Sequence, residues 1–170
     1  GGWFPLDPGA APSIGPKDAP IVMIEYSDFQ CPYCKKSQDI IHQVEQKYEG
    51  KIRKVFMHLP LQMHKMALPA AKAAMAAHLQ GKFWEFHDAL FSAPKLDEDE
   101  IVKIASAVEL DVSRWQKDRD SLPVDQQLQQ DMQKASKLGL SSTPSFFVNG
   151  YKVLQLTMQL WRLAIVFALL

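Results

Sequence analysis

Ile21-Val22-Met23-Ile24-Glu25-Tyr26 and, after four intervening residues, Cys31-Pro32-Tyr33-Cys34 form the stretch that decides the fold. The first six positions are a near-continuous apolar run rich in β-branched side chains, the pattern of a strand buried on both faces. Pro32 suits the first helical position, where its missing N–H costs nothing. From there Cys34, Ser37, Ile41, Val44 and Tyr48 recur at spacings of three and four, one stripe of a helix that Gly50 can end. The expectation is strand, turn, helix, with a C-x-x-C pair in the first helical turn. Cys34 then lies on the buried stripe, and Cys31 one turn earlier at the exposed end.

That placement has a chemical consequence. A helix N-terminus presents unsatisfied N–H groups and the positive end of the helix dipole, so a sulfur held there is favoured as an anion. Cys31 is therefore read as the attacking and leaving sulfur. Cys34, in the core, holds its proton more tightly and can form or resolve a disulfide with Cys31. A C-x-x-C pair between a strand and a helix is the setting of a thioredoxin-like redox motif.

Composition narrows the alternatives. The chain has 170 residues, 47% hydrophobic and 22% charged, which fits one globular domain and excludes a disordered or low-complexity chain. Lys+Arg and Asp+Glu are both 19, so no basic excess drives the chain toward nucleic acid. The two cysteines are too few for a disulfide-held scaffold or a four-cysteine zinc site. No charged n-region followed by an apolar h-region is visible, and a mature chain whose signal had been removed would read the same way.

Residues 1–20, with Pro5, Pro8, Pro12, Pro16 and Pro20, read as an extended N-terminal arm, and residues 21–170 as a single domain. Ile52, Val55 and Met57 mark a second strand before Pro60. Residues 66–140 read as helical throughout, a helical insertion between the two halves of the sheet. Within it, Asp97 with Glu100 resembles a capping box, Asp111 can cap a helix carrying Trp115, and Pro123 opens a longer helix that Gly139 ends. Strand character returns at residues 145–148, and Asn149-Gly150 signals a tight hairpin. A last helix is expected over 157–168. The apolar stretch 154–170 that holds it suits packing, dimerisation or contact with a membrane, but Gln155, Gln159 and Arg162 interrupt that stretch short of the ~18 apolar residues a spanning helix needs.

Three motifs in order carry a more specific resemblance. Gly15-Pro16-Lys17-Asp18-Ala19-Pro20 with the strand and the Cys pair, then Gly81-Lys82-Phe83-Trp84-Glu85-Phe86-His87-Asp88-Ala89-Leu90-Phe91, then Thr143-Pro144-Ser145-Phe146-Phe147-Val148-Asn149-Gly150, resemble the DsbA-like family of thioredoxin-fold thiol–disulfide oxidoreductases. The resemblance spans residues 15–153. It implies an α/β thioredoxin fold with a helical insertion, dithiol/disulfide exchange at Cys31 and Cys34 without metal or organic cofactor, and work outside the cytoplasm, as in the periplasm. Partners would be unfolded or partly folded cysteine-containing proteins and a redox protein that recycles the dithiol. It also makes Pro144 the family's cis-proline and Thr143 a residue that tunes the same surface, so that Pro32, Tyr33, Thr143 and Pro144 would meet substrate. Glu25 matches a buried acid of related enzymes that exchanges a proton with the second cysteine, with Lys54 a possible partner.

Other readings stay open. Disulfide formation is the favoured direction, with isomerisation or reduction as alternatives. Met57, His58, Met63, His64 and Met66 offer soft sulfur and imidazole ligands suited to Cu(I), so a copper-handling thioredoxin-like protein is a second class. Zinc would need His58 and His64 beside the Cys pair, across a gap longer than usual zinc-finger spacing. A peptide-binding chaperone with a vestigial thiol pair is a third. Phe83, Trp84, Phe86, Phe91 and His87 read as core, and residues 97–100 as a solvated helix cap.

Overall fold

In the computed structural model, which describes residues 2–153, each apolar run sits where its pattern demands. In chain order the elements are β1 (Ser13–Ile14), β2 (Ile21–Ser27), α1 (Pro32–Lys47), β3 (Ile52–His58), α2 (Ala67–His78), α3 (Phe83–Ser92), α4 (Glu98–Ala107), α5 (Val112–Asp118), α6 (Leu122–Lys137), β4 (Ser145–Val148) and β5 (Tyr151–Val153). The sheet order is β1-β3-β2-β4-β5, with β2 and β3 parallel and every other pairing antiparallel. β2 is central and buried on both faces, which is why it reads as an unbroken apolar run. The helix expected over 157–168 lies outside the described residues.

Strand alternation assigns each side chain to a face. Ile21, Met23, Ile52, Phe146 and Val148 pack beneath Ile41 and Val44 of α1. Further along the same face, Phe56 joins Phe29, both cysteines and the helical insertion in a larger core, with Phe83, Phe86, Phe91 and Trp115 as its bulk. The Trp115 indole N–H donates to the Ala73 carbonyl at 2.9 Å, so its polar atom is satisfied in the interior. On the opposite face Ile24, Tyr26, Val55, Met57 and Phe147 meet Ala135 and Leu140.

The expected local signals appear in the helices. Asp97 accepts from Glu100 N and Asp111 from Arg114 N, so both caps form, and the acidic run 97–100 is the head of α4. Asn149 and Gly150 both have positive φ, +47° and +86°, as a two-residue hairpin of this twist requires.

The arm departs from the sequence expectation. It is extended, yet it belongs to the body of the domain. Ser13 and Ile14 pair with Val55 and Lys54 as an edge strand, while at the other edge Trp3 bridges to Tyr151 and Phe4 N–H donates to the Gly150 carbonyl at 2.8 Å. Phe4, Leu6 and Ala11 cross the second face between them. Gly15, at φ +107°, permits the closest approach: a Cβ there would stand 2.1 Å from the Ile52 carbonyl oxygen.

Candidate active site

Because β2 and β3 are parallel neighbours, the loops that leave their C-terminal ends emerge on the same side, and β4, antiparallel to β2, begins there. Three segments therefore converge: residues 28–31 before α1, residues 59–66 before α2, and residues 141–144 before β4. Both cysteines and Thr143-Pro144 lie at this junction.

Cys31 is the N-cap residue of α1, extended at φ −76° and ψ 121°, with Pro32 in the first helical turn. Its thiol donates to the Thr143 carbonyl at 3.6 Å, a weak sulfur hydrogen bond. The Thr143–Pro144 peptide bond is cis. Cys31 was expected at an exposed end, but it is only 4% accessible, because the 141–144 segment and the insertion core close over it. Tyr33 stands outside, 69% exposed. A groove of about 630 Å³ opens beside Pro32, lined also by Lys35, His42, Asp88 and Phe91.

Cys34 is wholly buried one helical turn on, and both cysteines are free thiols. Burial pushes the Cys34 thiol well above the ordinary range; the Ser27 and Thr143 hydroxyls and the Asp28 backbone work against that rise, and Cys31 adds to it. Those two hydroxyls are buried and make no hydrogen bond of ordinary geometry, so they remain available to a charged sulfur.

Glu25 lies on the face of β2 that also carries Ser27, two residues nearer the junction. Loss of solvent raises its carboxyl to about 8 against the pull of Lys54 and a hydrogen bond from Gln38, and its Oε2 has no hydrogen-bond partner among the described residues. Gln38 also donates to the Cys34 carbonyl at 3.1 Å, so Glu25 and the second cysteine share a neighbour. The expected Glu25–Lys54 pairing is corrected. Lys54 Nζ bonds Glu45 Oε1 at 2.6 Å and lies 4.7 Å from the Trp84 ring centre, because Glu45 on α1 retains enough water contact to carry its charge while Glu25 does not.

The methionine and histidine residues do not form one cluster. Adjacent β3 positions point to opposite faces, so Met57 joins the core around Tyr26 while His58 packs among Phe29, Phe56 and Phe83. Met63 is exposed and His64 is bound to Asp28. His58 is buried with no hydrogen-bond partner among the described residues on either ring nitrogen, and burial lowers it to about 3. His87 packs in the same aromatic group, its Nδ1 2.7 Å from Asp88. Among the described residues no group of three or more His, Cys, Asp or Glu could hold a metal ion. Sequence reasoning missed Ser27 and Asp28, and read His64 as a candidate metal ligand where the structure binds it to Asp28. The available signal for Asp28 was an acid between an apolar strand and a cysteine helix, a place where carboxylates cap or clamp loops.

A thioredoxin fold with a dithiol at the head of its first long helix defines the class of this protein. A thioredoxin family model matches residues 8–165. A solved thioredoxin-like oxidoreductase from Silicibacter pomeroyi DSS-3 is 31% identical, with a TM-score of 0.85 over 93% of this chain and 91% of that one. BdbD from Bacillus subtilis, in its oxidised form, is 20% identical with a TM-score of 0.87 over 98% and 97%. The chain belongs to the thioredoxin family, in the DsbA-like form in which helices interrupt the sheet. Among curated relatives, the Na(+)/H(+) antiporter NhaA 3 of Salinispora tropica is 36% identical over 148 residues, 86% of this chain and 22% of that protein. The chain thus spans about a quarter or less of the length of the curated relatives it matches. Among the described residues no helix is long and apolar enough to cross a membrane.

Proposed function

We propose that this chain is a thiol–disulfide oxidoreductase that forms disulfides in exported, partly folded proteins outside the cytoplasm. The observation that carries this reading is the arrangement of the two sulfurs: Cys31 is the N-cap residue of α1, at the end where backbone N–H groups are left unpaired, and Cys34 is buried one turn on with a proton-holding acid on the preceding strand. In the oxidised protein a substrate thiolate attacks Cys31 Sγ. The substrate–Cys31 bond forms, the Cys31–Cys34 bond breaks, and Cys34 leaves as a thiolate that takes a proton from Glu25. A second substrate thiolate then attacks the substrate sulfur of the mixed disulfide and releases the Cys31 thiolate. The substrate loses two electrons, the dithiol gains them, and a redox partner with a more oxidising disulfide resets the pair. No metal or organic cofactor enters these steps.

Pro32 and Tyr33 on one side and Thr143 and Pro144 on the other would meet the substrate. The direction follows from linkage: whatever stabilises the Cys31 thiolate stabilises the reduced protein and makes its disulfide oxidising. Copper handling lacks support from the arrangement of Met57, His58 and Met63, and the antiport named for the curated relatives is not assigned to this chain.

Refolding of a reduced multi-cysteine protein is expected to be accelerated by the oxidised chain and not by Cys31→Ser. Its reduction potential should lie above the roughly −270 mV of thioredoxin. A potential at or below that value, with faster repair of a scrambled substrate than of a reduced one, would move the assignment to isomerase or reductase.

A further inference from the structure

We propose that Asp28 and His64 are a positioning pair that locks the dithiol loop onto the loop following β3, a role that rests on the oxidoreductase reading above. Asp28 lies three residues before Cys31 with its side chain wholly shielded from solvent. Its Oδ1 accepts from Gln30 N at 2.8 Å; its Oδ2 accepts from Leu61 N at 2.9 Å and from His64 Nδ1 at 2.8 Å. Its main-chain carbonyl accepts from Cys31 N at 3.1 Å, and its backbone also faces Cys34. One residue is therefore tied to both sulfurs' surroundings and to a segment far along the chain.

The residue type follows from the donors. Three N–H groups converge on two oxygens, and a carboxylate accepts at both. Asparagine in the same place would turn an NH₂ group against one set of donors. A buried carboxylate is costly unless each oxygen is used, and here each is. Gln30, next in the same loop, repeats the arrangement by accepting from Met66 N at 2.8 Å, so the 59–66 segment is held near both ends by the dithiol loop.

Of the pair, His64 keeps some access to solvent while Asp28 has none. To donate to a carboxylate its Nδ1 must carry the proton. That hydrogen bond draws the Asp28 charge away from the sulfurs. A carboxylate deprived of it would leave a less compensated negative charge in the loop three residues before Cys31, which disfavours a second anion nearby. His64 thus acts on the dithiol through Asp28, as a positioning residue and not a catalytic one.

Replacing Asp28 would unpair three donors in the interior, so His64 is the place to test. His64→Leu removes the donor, whereas His64→Asn keeps an amide N–H close to the position of Nδ1. The readouts are the thiolate absorbance near neutral pH and the equilibrium of the dithiol with oxidised glutathione, in which protein dithiol and oxidised glutathione give protein disulfide and two reduced glutathiones. For H64L the oxidation constant is expected to rise about threefold to tenfold, less than the full worth of a hydrogen bond to a charged group because only the part that differs between the dithiol and disulfide forms is read, with a matching fall in thiolate; H64N should stay near the wild type. An H64L protein that equilibrates like the wild type, or equal shifts in both variants, would overturn the proposal. A wild-type dithiol that fails to exchange with glutathione at all would instead sink the oxidoreductase reading, and the thiolate absorbance would still report on the pair.

Discussion

A carboxyl group placed in the middle of a sheet face that is otherwise apolar has to be either paired or protonated, and Glu25 is largely the latter. Burial holds its proton to about pH 8, whereas in the unfolded chain it is lost near 4.5. Between those values the folded state binds more protons than the unfolded state, so stability is full below about pH 4.5, falls as pH rises, and levels off above about 8. At 1.36 kcal/mol per unit the loss is bounded by roughly 5 kcal/mol. Glu25→Gln carries no such proton, so its urea-unfolding free energy is expected to gain on the wild type between about pH 4.5 and pH 8; a constant difference would mean the acid is not shielded as described. Glu25 and the two cysteines were legible in the sequence because their setting is local: one strand, one turn, one helix. Asp28 was not, because its meaning comes from a histidine 36 positions away that only the fold brings near. Lys54 was assigned the wrong carboxylate for a related reason, since strand spacing says nothing about an acid on the helix above it.

At the scale of elements, the joint between α6 and β3 repeats the problem of a buried acid. Asp131 on α6 accepts from His58 N at 2.9 Å and from the Gln127 side chain at 2.9 Å. Burial nonetheless raises it to about 6, and burial of Tyr26, with the Asp131 charge adding to it, pushes that hydroxyl to about 12. The sign is that of a raised acid: the contribution is complete below about pH 3.8 and declines until about pH 6. The stability difference between wild type and Asp131→Asn is therefore expected to change across that interval, by up to roughly 3 kcal/mol, and to be flat above it. Chemical denaturation at a series of pH values measures this, and a difference that kept changing well above pH 6 would assign the effect to another group. The element boundaries themselves were readable wherever a cap or a breaker marks them, as Asp97, Asp111, Gly139 and Asn149-Gly150 do. The burial of Cys31 was not readable, because the covering loop comes from the other end of the chain.

Across the whole molecule, the two sheet faces divide the work. The face beneath α1 and the insertion carries the dithiol, Glu25 and the aromatic core, while the other is closed by α6 and by an N-terminal arm that reaches from one sheet edge to the other. The sequence marked the arm as extended through its prolines, but an arm that pairs in only two short places gives no strand signal of its own. Its anchors are specific. Phe4 meets Phe147 edge-on with ring centres 5.7 Å apart, and the Trp3 indole N–H donates to the Asn149 carbonyl at 3.1 Å. Removing residues 1–11 exposes the second face where Phe4 and Leu6 lie, and at about 1.5–3 kcal/mol for a fully buried large apolar side chain the cost of these two partly buried ones is expected near 2–4 kcal/mol. Because the arm meets neither sulfur and packs on the face turned away from α1, the truncated chain should keep the wild-type equilibrium with glutathione while its unfolding midpoint falls. Thermal unfolding and the glutathione equilibrium, measured on the same sample, test the division. A shift in both would show that the arm sets the sheet's geometry as far as the dithiol, and a shift in neither would show that α6 alone seals the second face.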